Sequence, residues 1–357
     1  MAETIKVKRD DEFFLAIAKE GIHSFVMLGV VQDNKPLILA RVGKTNDIDS
    51  DVRSPLKLGV KYITTGTLGR LADEGIEQDD GEINYQAYAI NYEQYKEFLA
   101  LIWTMEQEQK KNPTILNELN TNYYVVERAK NAAISCYVPH EPTEGGEIEL
   151  IHEELGTNTF VPKEGKEEQF NKAATNTQKI QIINNSCRTT ALNILDIVLG
   201  FKANVSKHFF VAPAYKTQFI DKKLDADSFY IFPPPPTAYK DLGKTQRAVL
   251  EKLYKRLEEI PHKDTREQAT RDKFAALKTM YNSIAGKNNL SASDLLQCIS
   301  EHEKGKEEVL YAKRSPSKLS TFFNLSSSTK KMVDSMKEKL NKEKNSEGTT
   351  EPPKSSM

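Results

Sequence analysis

The sequence predicts an α+β protein: an antiparallel sheet packed on helices, followed by a small all-α C-terminal part. Three observations carry this. The apolar runs IHSFVMLGVV (22–31) and PLILARV (36–42) flank QDNK, which has turn chemistry. Apolar stripes at helical spacing recur after residue 91 and after residue 186. Near residue 240 strand signals give way to helical ones and the charge changes sign. Residues 1–239 carry 26 Lys and Arg against 34 Asp and Glu, and residues 240–357 carry 24 against 17.

Taken in order, the first two runs read as a β-hairpin whose first strand opens at His23. Residues 45–84 are rich in Gly, Asp and Thr, with one β-branched cluster at VKYITTG, and YQAYAI alternates like a further strand. Asn91 and Gln94 form a capping-box start for NYEQYKEFLALIWTM, where Tyr95, Phe98, Leu99 and Ile102 share a face. YYVVERAKNAAISCYVP mixes both signals. The stretch 141–180 is polar and is expected to be an exposed insertion or mobile loop. NNSCRTTALNILDIVLGF then places Asn184, Asn185 and Ser186 as capping residues and Cys187 in the first turn of a helix that Gly200 ends.

Beyond two short extended segments, Pro233 to Pro236 read as a stiff connector. The chain therefore divides into 10–240, a helical part at 241–315, and 316–357, where a Ser-rich segment and a short helix lead to a disordered tail. In the helical part Leu250, Leu253, Tyr254 and Leu257 form one stripe and Phe274, Leu277, Tyr281 and Ile284 another.

Bulk features bound the function. With 357 residues, 38% of them hydrophobic, the chain can bury one large core or two smaller ones. No stretch approaches the ~20 apolar residues of a membrane span, and MAETIKVKRDDEFF lacks a signal peptide's apolar block, so stable membrane insertion is not expected. The three cysteines, Cys136, Cys187 and Cys298, are odd in number and lack a CxxC pair. That argues against a disulfide framework or a zinc site and suits a reducing compartment. No metal or cofactor is called for. The basic C-terminal residues are interleaved with acids and poor in aromatics, unlike a nucleic-acid surface.

Chemistry concentrates at Cys187. A thiol attacks as the thiolate, and a first helical turn favours negative charge through its unpaired N–H groups and dipole. The same groups, with the Asn185 side chain, are candidates to hold an oxyanion. Such a nucleophile needs a base, and His23 is the candidate; His208, in an apolar run 21 residues on, is a weaker rival. The bland readings are a buried structural cysteine at 187 and a strand-end histidine at 23. His140 and His152 lack the spacing of a metal motif.

The order GIHSFVMLG, second strand, YAINYEQYKEFLALI and NNSCRTTALNILDIVLG resembles the circularly permuted papain-like, NlpC/P60-related, group, which includes lecithin–retinol-acyltransferase-like proteins. The resemblance implies a papain-like fold, with Cys187 as nucleophile and His23 as base acting through an acyl thioester. It also implies a third polar residue on the second strand, where this chain has Arg41, Val42 and Gly43. That residue is left unassigned: either the site is a dyad, or Asn46, Asp47, Asp225 or Asp227 completes it. KTQRAVLEKLYKRLEE, TRDKFAALKTMY and SKLSTFFNLSS are similar to the helical C-terminal regions of Legionella-type effectors, and the Glu-containing tail to a type IV (Dot/Icm) secretion signal. This implies a virulence protein delivered to the host cytosol, acting on a host protein or lipid and docking a partner through its helical part. The rival from another class is a non-catalytic papain-like scaffold that binds a host or bacterial protein.

Overall fold

The computed structural model describes residues 3–46, 67–111, 133–142, 146–181, 184–262, 266–312 and 327–347. The VKYITTG and TFFNL segments, Asp47 and the last ten residues lie outside them. The chain divides into two compact units, 1–231 and 232–357.

In the first unit β1 (Thr4–Val7) is followed by β2 (Phe13–Glu20), β3 (His23–Gln32) and β4 (Lys35–Asn46). The β3–β4 turn falls on QDNK, with Asp33 and Asn34 both in the left-handed region, as a two-residue hairpin requires. Next come β5 (Thr67–Asp73) and β6 (Gly81–Ile90). Helix α1 (Tyr92–Lys111) opens with reciprocal side-chain and backbone bonds between Asn91 and Gln94, the anticipated capping box. Its Tyr95 ring stacks on Phe13 and Tyr92 meets the same ring at a tilt, and Tyr95, Phe98, Leu99 and Ile102 are buried.

The stretch 141–180 departs from the loop expected of it. After β7 (Ser135–Pro142), it forms β8 (Ile148–Glu154), helix α2 (Glu167–Thr177) and the short β9 (Lys179–Ile180). Composition misleads here because few apolar positions are needed. Phe170, Ala173, Ala174 and Thr177 fall at helical spacing and are the residues α2 buries, while β8 is flanked on both sides by β1 and β7.

Helix α3 (Cys187–Leu199) is followed by β10 (Tyr215–Ile220) and β11 (Lys223–Leu224). A large antiparallel sheet runs in the order β11-β10-β6-β2-β3-β4-β5-β9, beside the three-stranded sheet β1-β8-β7. Helix α3 packs on β3, β4 and β2, the centre of the large sheet, with Ala191, Ile194, Leu195 and Val198 buried. This delivers its first residue to the end of the sheet where β3 begins.

The described part of the second unit carries α4 (Lys244–Glu259), α5 (Gln268–Ala285), α6 (Ala292–Glu303), α7 (Glu307–Tyr311) and α8 (Ser328–Glu347). Both anticipated stripes, at 250–257 and 274–284, are buried. The proline run falls just after the boundary between the two units. It belongs to this unit, Pro233, Pro235 and Pro236 are buried, and the Pro234 carbonyl accepts from the Tyr281 hydroxyl at 2.7 Å. The eight helices among the described residues and the large antiparallel sheet make the protein α+β.

Candidate active site

Cys187 is the first residue of α3, and Ser186, not Asn185, is its N-cap: the Ser186 hydroxyl accepts from the Thr189 N–H. The thiol is half-buried, whereas Cys136 and Cys298 are buried. Among the described residues, the histidine whose ionisation is coupled to Cys187 is His23, the first residue of β3. The exposed His208 is not its partner.

The other side of the imidazole is taken by Glu74, whose Oε1 lies 2.8 Å from His23 Nε2. With Nε2 so engaged, Nδ1 is the nitrogen left for Cys187. Glu74 follows β5 and is not among the residues proposed from sequence. Asp225 instead accepts from the Ser228 hydroxyl and the Asp227 N–H.

Local structure explains why Glu74 can fill the role. A Cβ on Gly43 would lie 2.1 Å from Glu74 Oε1 and 2.9 Å from His23 Nε2, so only glycine leaves room for the carboxylate. Arg41 then secures the loop: its carbonyl accepts from the Glu74 N–H at 3.0 Å, and its guanidinium donates to the Gly75 carbonyl at 3.2 Å. Gly75 sits at φ +72°, where its N–H meets Asp73 Oδ1 at 2.7 Å. Arg41 and Gly43, poor orienters by residue type, thus position the orienter that comes from the next strand.

The electrostatics follow from these contacts. Burial opposes charge on His23, but its hydrogen bonds to Cys187 and Glu74, and the negative charge they present, raise its pKa to about 10. Burial likewise pushes the Cys187 thiol up, yet the bond to His23, backbone N–H bonds from Ser24 and Arg188, and the positive charge of His23 bring it below its ordinary value. Both shifts favour a thiolate–imidazolium pair at neutral pH.

Two buried cations stand behind the nucleophile. Arg188 donates Nε to the Ser206 carbonyl at 2.9 Å and Nη2 to the Val211 carbonyl at 3.2 Å, tying the loop after α3 to its first turn. Lys44 on β4 donates to Asn185 Oδ1 at 2.7 Å and to the carbonyls of Asn176 and Asn185 at 3.0 and 3.3 Å. Asn185 Nδ2 donates to the Asn176 carbonyl at 2.7 Å, so its side chain braces the segment before the nucleophile.

No protein-family model, curated protein or solved structure matches this chain. No group of His, Cys, Asp and Glu among the described residues has the arrangement of a metal site.

Proposed function

We propose that this chain is a cysteine-nucleophile acyl-transfer enzyme, a hydrolase, amidase or acyltransferase, with Cys187 as nucleophile, His23 as acid and base, and Glu74 as the residue that orients His23. The observation that carries this is a cysteine at the first residue of a helix whose ionisation is coupled to an imidazole, which in turn lies 2.8 Å from a carboxylate. The Cys187 thiolate adds to an acyl carbonyl, and the positive end of the α3 dipole favours the negative charge that develops on the oxygen. Collapse breaks the bond to the leaving group, which takes its proton from the His23 imidazolium and leaves an acyl thioester. Neutral His23 then removes a proton from water or an acceptor, which attacks the thioester and restores the thiol.

His23 on an early strand and Cys187 on a later helix support a permuted papain-like arrangement, with helices α4–α8 as an appended docking part of a translocated effector. A free thiol suits a reducing host cytosol. Incubating the full chain with activated peptide and lipid acyl esters should give an acyl adduct on Cys187 by intact-protein and peptide mass spectrometry. The adduct should be absent in Cys187→Ala and strongly reduced in His23→Ala. A folded protein that forms no adduct with any ester class, although Cys187 can be alkylated, would make it a non-catalytic scaffold.

A further inference from the structure

Lys44 is about 1% exposed, and nothing in the acyl-transfer scheme uses it. A buried lysine in such a place calls for a reason, because taking an ammonium out of water costs several kcal/mol. Its three named acceptors all belong to two short segments, the end of α2 at Asn176 and Asn185 two residues before the nucleophile. The stem passes over Gly69, where a Cβ would lie 2.8 Å from Lys44 Cε. These three acceptors are neutral, and among the described residues Lys44 feels the charge of Cys187, which in turn faces His23 on β3 and Arg188 on α3.

We propose that Lys44 is a positioning residue of this site, a cation that clamps the Asn185 segment against β4 so that Cys187 is held beside His23, and whose charge supports the thiolate. The inference rests on the acyl-transfer reading of Cys187. Burial lowers the Lys44 pKa, and the negative charge of Cys187 offsets part of this, leaving it at about 7, so the clamp is charged in mildly acidic solution and loses its charge as pH rises through neutrality.

The test compares two variants that each keep a hydrogen-bond donor: Lys44→Gln removes the charge and Lys44→Arg retains it. Alkylation of Cys187 by iodoacetamide is followed against pH in the full chain, with circular dichroism as the check on folding. In Lys44→Gln the thiol midpoint should rise by about one pH unit, a tenfold drop in thiolate at pH below the midpoint, while Lys44→Arg should stay near wild type. A folded Lys44→Gln protein with the wild-type midpoint overturns the proposal. Should Lys44→Gln not fold, Asn185→Ala decides, because it removes one acceptor of the clamp while leaving His23 and the helix end in place: the Cys187 midpoint should rise, and a wild-type midpoint in the folded variant overturns the proposal. Failure of the acyl-transfer reading looks different: Cys187 would then form no acyl adduct, whatever its midpoint.

Discussion

The first unit holds two thiols in neighbourhoods built from the same residue types, and their chemistry runs in opposite directions. Cys187 begins a helix and meets His23, which is paired with Glu74 at 2.8 Å. Cys136 lies on β7 directly across from Glu153 of β8, which pairs with His140 at 3.2 Å. Burial and the negative charges of Asp73, Glu106 and Glu153 push the Cys136 thiol well above its ordinary value. At Cys187 burial acts in the same sense, but a histidine, backbone donors and a helix N-terminus outweigh it. A histidine–glutamate pair therefore does not by itself make a thiol reactive. The imidazole must face the sulfur, and the carboxylate must lie behind the imidazole rather than beside the thiol.

The largest effect expected from breaking this arrangement is at Glu74. Glu74→Gln keeps the shape but removes the charge that holds His23 protonated. A hydrogen bond to a charged group is worth about 1.5–3 kcal/mol, so the rate of Cys187 alkylation at pH 7 should fall about 10- to 100-fold. Cys136 should label no faster than before. Peptide-resolved mass spectrometry gives both rates, and an unchanged Cys187 rate would remove Glu74 from the account.

Gly43→Val comes next. Its added carbons would occupy the space of the Glu74 carboxylate, so the glutamate must move. Overpacking of this kind costs about 1–3 kcal/mol, and thermal unfolding should show it. Alkylation of Cys187 should drop about tenfold, as expected for a site that has lost its orienter. If Gly43→Val and Glu74→Gln are combined, the losses should be less than additive, because both act through one contact.

Ser186→Ala tests the helix end and should have the smallest effect. Loss of the N-cap costs about 1 kcal/mol of stability. The Cys187 thiol midpoint should move by only a few tenths of a pH unit, since His23 and the remaining first-turn N–H groups stay in place. A shift as large as that of Glu74→Gln would mean that the helix end, rather than the histidine, sets the thiol.

Several of these features were legible in the sequence because their signals are local. The hairpin around QDNK, the Asn91–Gln94 capping box and the cap before Cys187 each declare themselves within a few residues. The α2 helix and strand β8 did not, since a handful of buried positions in a polar stretch suffices once neighbouring elements cover them. Glu74 was invisible for a different reason. Its role depends on the absence of a side chain at Gly43, 31 positions earlier, and on Arg41 reaching across β4 to the same loop. A glycine in mid-strand flanked by residues that otherwise fit the strand is the one hint available, because it marks a place where something else approaches closely. Lys44 is a similar case: an unremarkable lysine at the end of an apolar strand turns inward because carbonyls from two distant segments converge on it.

A thiolate–imidazolium pair at Cys187 is read out by the pH profile of iodoacetamide alkylation at Cys187 and Cys136 in the same unmodified chain. A thiolate held by an imidazolium exists below the ordinary thiol range, so Cys187 should already react at neutral pH. Because His23 keeps its proton up to about 10, the profile should stay nearly level from neutral pH and rise again only as that proton is lost and the thiolate is freed from its partner. Cys136, buried among carboxylates, should stay unlabelled across that range. A single rise near pH 8.5 at Cys187, or parallel profiles at the two cysteines, would contradict a thiolate–imidazolium pair at this site.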